Sequence, residues 1–188
     1  EKSPPRCPWR RNNNFCSNTY AVAPPGCHLQ RMENKEKNMS DIQIHIGEIL
    51  ARNARMYPND IALVERVSAT KTTTEITLKE FEESANRFSN ILKGKGVRKG
   101  DKVAHWMQNS IDWLVAYFGI VRTGAWVVPL NFRFTAEEMK YCAEVAEPTV
   151  FVFDEDFAQR VASVKDMLAT VTSCICVGKN NPAFAEPF

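Results

Sequence analysis

Two stretches of this sequence have the composition of a phosphate-binding loop. Ser68-Ala69-Thr70-Lys71-Thr72-Thr73-Thr74 offers hydroxyls and a lysine. It contains no glycine, so its backbone cannot easily wrap a phosphate, and it lies between two predicted strands, where a polar hairpin turn accounts for it. Gly94-Lys95-Gly96-Val97-Arg98-Lys99-Gly100 has both glycines and cations. It follows a helix and precedes a strand, the reverse of the order in which a phosphate loop opens a helix, and it reads as a helix cap plus turn. Two single residues invite proton or ribose chemistry. His105 sits mid-strand among apolar neighbours, a setting in which a packing role outweighs a catalytic one. Asp154 closes an apolar strand and could accept a ribose hydroxyl, although no glycine fingerprint on an earlier strand supports that.

The cysteines fall into two sets. Cys7, Cys16 and Cys27, with His28 beside the last, are too widely spaced for a common zinc arrangement. Cys142, Cys174 and Cys176 lie in apolar patterns, where reduced cysteine behaves as a small hydrophobe. No residue is therefore expected to ligate a metal. Arg6, Arg10 and Arg11 beside Trp9 resemble a nucleic-acid patch in composition, but short basic runs are usually solvated. The formal net charge of +2 also gives no argument for nucleic acid or acidic membranes as partners.

Residues 1–40 carry Pro4, Pro5, Pro8, Pro24 and Pro25, an asparagine run at Asn12–Asn14 and no hydrophobic period. Such a segment cannot bury enough apolar surface to offset its ordering entropy, so a disordered leader is expected. Met32 or Met39 is the expected natural start, with the leader as upstream sequence. No stretch there has the apolar core of a secretory signal. The longest apolar run, Trp113–Val121, is too short to span a bilayer. A cytoplasmic protein without a transmembrane segment is the expectation.

Residues 41–188 form the expected domain. Ile42, Ile46, Ile49 and Leu50 have helical spacing, stopped near Pro58. Ile61–Val67 and Thr72–Thr77 read as a hairpin. Thr77 with Glu80 spells a capping box for a helix presenting Phe81, Ala85, Phe88 and Leu92 on one face. The strand Lys102–Met107, the apolar helix Ile111–Arg122 and the strand Trp126–Leu130 follow. Gly124 can take the left-handed conformation that closes the helix before it. Thr135 with Glu138 is a second capping box, opening a helix Ala136–Ala146 with Met139, Cys142 and Val145 inward. A strand at Thr149–Phe153, a helix at Phe157–Leu168 and a strand at Ser173–Val177 complete the pattern. Trp106, Trp113, Phe118 and Trp126 read as core. Short apolar strands alternating with helices predict an α/β fold: a doubly wound, mostly parallel sheet with helices on both faces.

The order of these segments carries a specific resemblance. Val103-Ala104-His105-Trp106-Met107-Gln108-Asn109-Ser110, then Trp113 to Ala125, then Val127-Val128-Pro129-Leu130-Asn131, resembles the N-terminal region of the adenylate-forming superfamily. Thr77-Leu78-Lys79-Glu80-Phe81 is similar to its first core motif and Thr123 to Asn131 to its second. The continuation Asn-Phe-Arg-Phe-Thr-Ala-Glu-Glu leans to the acyl-CoA synthetase branch. Two positions depart from the pattern: Gln108 stands where proline is common, and His105 where an aliphatic residue is usual.

The resemblance implies the N-terminal part of an AMP-dependent synthetase domain. Its chemistry would join a carboxylic acid to coenzyme A through an acyl-adenylate, using ATP and Mg2+. It also implies that Arg160 could correspond to an arginine that, in the acetate-directed branch, helps bind the coenzyme A phosphate, although a solvated helix arginine explains it better. The family's phosphate loop and catalytic lysine lie beyond the matched region. No catalytic residue is therefore expected here, no cofactor is expected to be bound by these residues alone, and the remainder of a synthetase chain is the expected partner. The alternative reading is a stand-alone, non-catalytic α/β module that binds or regulates another protein.

Overall fold

The computed structural model describes residues 45–188 apart from Ala69, so the expectations for the leader and its cysteines fall outside the described residues. The chain enters through α1 (Ile46–Met56), with His45 Nδ1 accepting the Gly47 N–H at its start. β1 (Ile61–Val67) and β2 (Thr72–Thr77) form the expected antiparallel hairpin, with Val67 opposite Thr72 across the turn. α2 (Leu78–Gly94) opens at the Thr77/Glu80 capping box, in which each partner accepts the other's backbone N–H. It closes at Lys95, and Gly96 turns left-handed at φ 84°.

The central sheet is wholly parallel. β3 (Lys102–Trp106), β4 (Trp126–Pro129), β5 (Val150–Asp154), β6 (Ser173–Val177) and β7 (Glu186–Pro187) lie in the order β4-β3-β5-β6-β7. β7 is an addition to the sequence reading, which ended its strands at Val177. Its two residues pair with Ile175 and Cys176, too short a run to show periodicity. Between the strands run α3 (Ile111–Thr123), α4 (Ala136–Ala146) and α5 (Ala158–Val164). Gly124 takes the left-handed conformation foreseen for the end of α3, at φ 81°.

Each sheet face is covered, as a doubly wound fold requires. On one face Val103, Met107, Val150, Val152, Ile175 and Val177 pack with Phe88 and Leu92 of α2 and Ala116 and Ile120 of α3. On the other, Ala104, Trp106, Phe151 and Phe153 meet Met139 and Ala143 of α4 and Val161 and Val164 of α5. A third cluster joins Leu50, Phe81, Ala85 and Val115 and seats the hairpin. Arg122 ties the helices together: it donates to both carboxylate oxygens of Glu82, to Asn86 and to the Gly47 carbonyl.

Three expectations are corrected. Val145 is 67 % exposed, because α4 meets the sheet through Met139 and Ala143 and a residue two positions on turns away from that stripe. Trp126 is 70 % exposed: it begins the edge strand β4, whose Val127 and Val128 alone reach the two cores. The helix expected at Phe157–Leu168 is α5 flanked by 3₁₀ turns at Glu155–Phe157 and Lys165–Met167.

Candidate functional site

From β3 the chain turns to β4 on one side, whereas from β5 it continues to β6 on the other. The junction between β3 and β5 is thus the topological switch point, and open parallel sheets take ligands outside the carboxyl ends of the strands there. Met107–Ser110 leaves β3 at this place, and Asp154–Asp156 leaves β5. Register sets them side by side, since Trp106 pairs with Phe153.

The two segments are joined by hydrogen bonds. Gln108 donates its backbone N–H to Asp154 Oδ2 at 2.5 Å and its side-chain amide to Asp156 Oδ2 at 3.0 Å. Glu155 turns to the next loop, where its Oε2 accepts the N–H groups of Lys179 and Asn180 at 2.8 and 2.7 Å. Its carboxylate occupies the space a Cβ would need at Gly178, whose φ is 143°. Burial, and then the neighbouring charges of Asp156, Asp112 and Glu155, raise Asp154 to about 6 against the opposing bond from Gln108. Burial and then Glu65 also raise Asp112. On β6, burial followed by Glu155 and Asp154 holds the Cys176 thiol up at about 11, so it stays protonated and unreactive.

His105 is fully buried between β3 and α3, its ring 4.8 Å from that of Trp113 and its Nε2 3.0 Å from Met107 Sδ. Nδ1 has no partner. Burial depresses it to about 4, so it packs as a neutral ring. The phosphate-loop look-alikes also fold as their turns predict. Thr70 and Thr72 bond each other at the hairpin tip, and in Gly94–Gly100 the Val97 N–H closes on Leu92 O.

Arg160 lies on the opposite face of the sheet from His105. Its Nη1 donates to Phe134 O at 2.9 Å, and its guanidinium lies over the rings of Trp106 and Phe157 at 4.9 and 4.4 Å. Trp106 Nε1 donates to Asn131 O at 2.9 Å. The loop from Asn131 to Phe134 is therefore pinned at both ends. The structure brings Asp154 and Gln108 together, whereas Arg160 packs on Trp106 from the other face of the sheet. Sequence reasoning missed Gln108 and Asp156 as partners; the one available signal was glutamine at a position where proline is common.

Residues 50–188 match the family described as AMP-binding enzyme. The chain belongs to that family. Among its relatives is a medium/long-chain-fatty-acid–CoA/3-oxocholest-4-en-26-oate–CoA ligase of Mycolicibacterium smegmatis, 37% identical over 103 residues, which are 55% of this chain and 19% of the relative. A long-chain-fatty-acid–CoA ligase of Mycobacterium tuberculosis is 29% identical over 134 residues, covering 70% of this chain and 26% of that protein. Among solved structures, an anthranilate CoA ligase in complex with anthranoyl-AMP aligns over 76% of this chain and 26% of its own, with a TM-score of 0.69 and 26% identity. The match thus spans about a fifth of the length of the first of these relatives. The fold expectation is met, and so is the reading of Thr123–Asn131 as a helix–strand junction: it is the end of α3, the left-handed stop and β4.

Proposed function

We propose that this AMP-binding-family chain serves an AMP-forming acyl-CoA synthetase. In that reaction a carboxylate oxygen attacks the α-phosphorus of ATP, pyrophosphate leaves, and the thiol of coenzyme A then displaces AMP from the acyl carbon. The observation that carries this reading is the family match through residues 50–188. It is supported by relatives whose names are fatty-acid–CoA ligases, and a fatty acid is the acid we propose. ATP, Mg2+ and coenzyme A are the cofactors of the reading.

Among the described residues, both phosphate-loop look-alikes are spent in turns, and no group of three or more acidic, histidine or cysteine side chains could hold a metal ion. These residues do not fit Mg2+–ATP, so we derive no adenylation step through them. Their role is the parallel sheet and the helix packing that present its carboxyl edge. Arg160 stays the residue proposed for the coenzyme A phosphate. Its cation–π seat and its bond to Phe134 hold its side chain beside the Asn131–Phe134 loop, which supports a role there. No helix among the described residues is long and apolar enough to cross a membrane, and we propose a cytoplasmic setting.

Fatty-acid-dependent ATP–pyrophosphate exchange tests the reading. It is measured on the purified chain and on the protein extended through whatever the gene encodes beyond Phe188. Exchange by the extended protein alone is expected. Exchange by neither would remove the synthetase reading, and exchange by the chain itself would overturn the claim that these residues serve as scaffold.

A further inference from the structure

We propose that Asp154 and Gln108 form a proton-sensitive latch between the carboxyl ends of β3 and β5. The geometry is specific. One residue of the β3–α3 loop is held twice by the turn after β5, its backbone N–H on Asp154 and its side-chain amide on Asp156. The same loop carries Ser110, whose Oγ accepts the Trp113 N–H and caps α3. Holding Gln108 therefore fixes both the β3–α3 loop and the start of the helix behind it.

The electrostatics make the latch responsive. A hydrogen bond to an ionised carboxylate is roughly twice as strong as one between neutral groups, so protonating Asp154 weakens its hold on Gln108. Asp156 and Glu155 of its own turn, and Asp112 of α3, face Asp154 with like charge, and the Cys176 thiol faces it from β6 without charge. Lys179 donates its backbone N–H to Glu155. The ion pairs found among the described residues involve none of these four carboxylates. Crowding and burial thus favour taking up a proton, while the Gln108 bond resists it. The balance places the change at about 6. Above that the latch is shut. Below it the Gln108–Ser110 loop loosens at the switch point, where this fold class takes ligands.

The device depends on the residue at 108. A proline here would have no N–H to donate and no amide to reach Asp156, whereas Gln108 supplies both bonds. The inference goes beyond the synthetase reading and stands without it.

The test follows the Gln108 backbone amide proton of the 15N-labelled chain by NMR from about pH 4 to about pH 8. A transition centred near pH 6 is expected. Hydrogen exchange at Gln108–Ser110, corrected for intrinsic pH dependence, should rise several-fold on its acid side. Asp154→Asn should abolish the transition. Asp112→Asn, which removes a like charge without touching the latch bonds, should lower its midpoint. Gln108→Ala keeps the backbone donor and should keep the titration. A midpoint near the ordinary carboxylate value, or a transition that survives Asp154→Asn, would overturn the proposal. So would a midpoint unmoved by Asp112→Asn. None of these outcomes depends on exchange activity, so the latch and the synthetase reading fail separately.

Discussion

His105 and Asp154 lie on neighbouring strands, yet they pull stability in opposite directions as pH falls. Burial depresses His105 from 6.5 to about 4. Between those values the unfolded chain binds a proton that the folded chain refuses. Stability is therefore lost as pH drops through that window and levels off below about 4. The full loss is on the order of 3 kcal/mol. Asp154 is raised from 3.8 to about 6, so here the folded chain binds the extra proton, and stability rises as pH falls from about 6 toward 3.8. The two slopes oppose each other over much of the same range. Urea unfolding at a series of pH values should show His105→Leu flattening or reversing the acid-side loss. Asp154→Asn should steepen it. Equal pH profiles for both variants and the parent would contradict these assignments.

At the scale of elements, the helices are set by caps and by one close approach. Glu80 and Glu138 are held below the usual carboxylate value by the backbone and then the side chain of Thr77 and Thr135. This support is present at neutral pH and fades as acid protonates them. Thr77→Ala removes the Oγ that accepts the Glu80 N–H and should cost about 1 kcal/mol in chemical denaturation. The α2–α3 crossing depends on Gly119. A Cβ there would sit 2.7 Å from Phe88 Cδ1 and 3.2 Å from Ala85 O. Helix propensity alone would favour alanine at that position by about 1 kcal/mol. Overpacking at about 1–3 kcal/mol should win, so Gly119→Ala is expected to lower the denaturation midpoint; a rise would mean the helices can separate cheaply. These elements were readable in advance because capping boxes and apolar periods are local. The facing of α4 was not: Val145 satisfies a helical period, but which side meets the sheet depends on where the sheet lies.

Among the described residues, the parallel sheet is covered on both faces and has β4 as an edge strand. Trp126 lies exposed at the start of that edge, and open edges carrying apolar groups favour association. Trp126→Lys is expected to reduce any self-association seen by sedimentation velocity with little change in the unfolding midpoint, because most of the side chain is exposed. The sequence alone determined the alternation of strands and helices, both capping boxes, the glycine stop at Gly124 and hence the doubly wound class, since each is written in neighbours a few residues apart. Its core motifs also carried the family. Only the tertiary structure decided which strands adjoin, and so where the switch point falls. Gln108 and Asp154 are 46 residues apart in the chain and 2.5 Å apart in space. No local period encodes such a meeting; it follows from β5 inserting beside β3, and from a backbone N–H that a proline would have lacked.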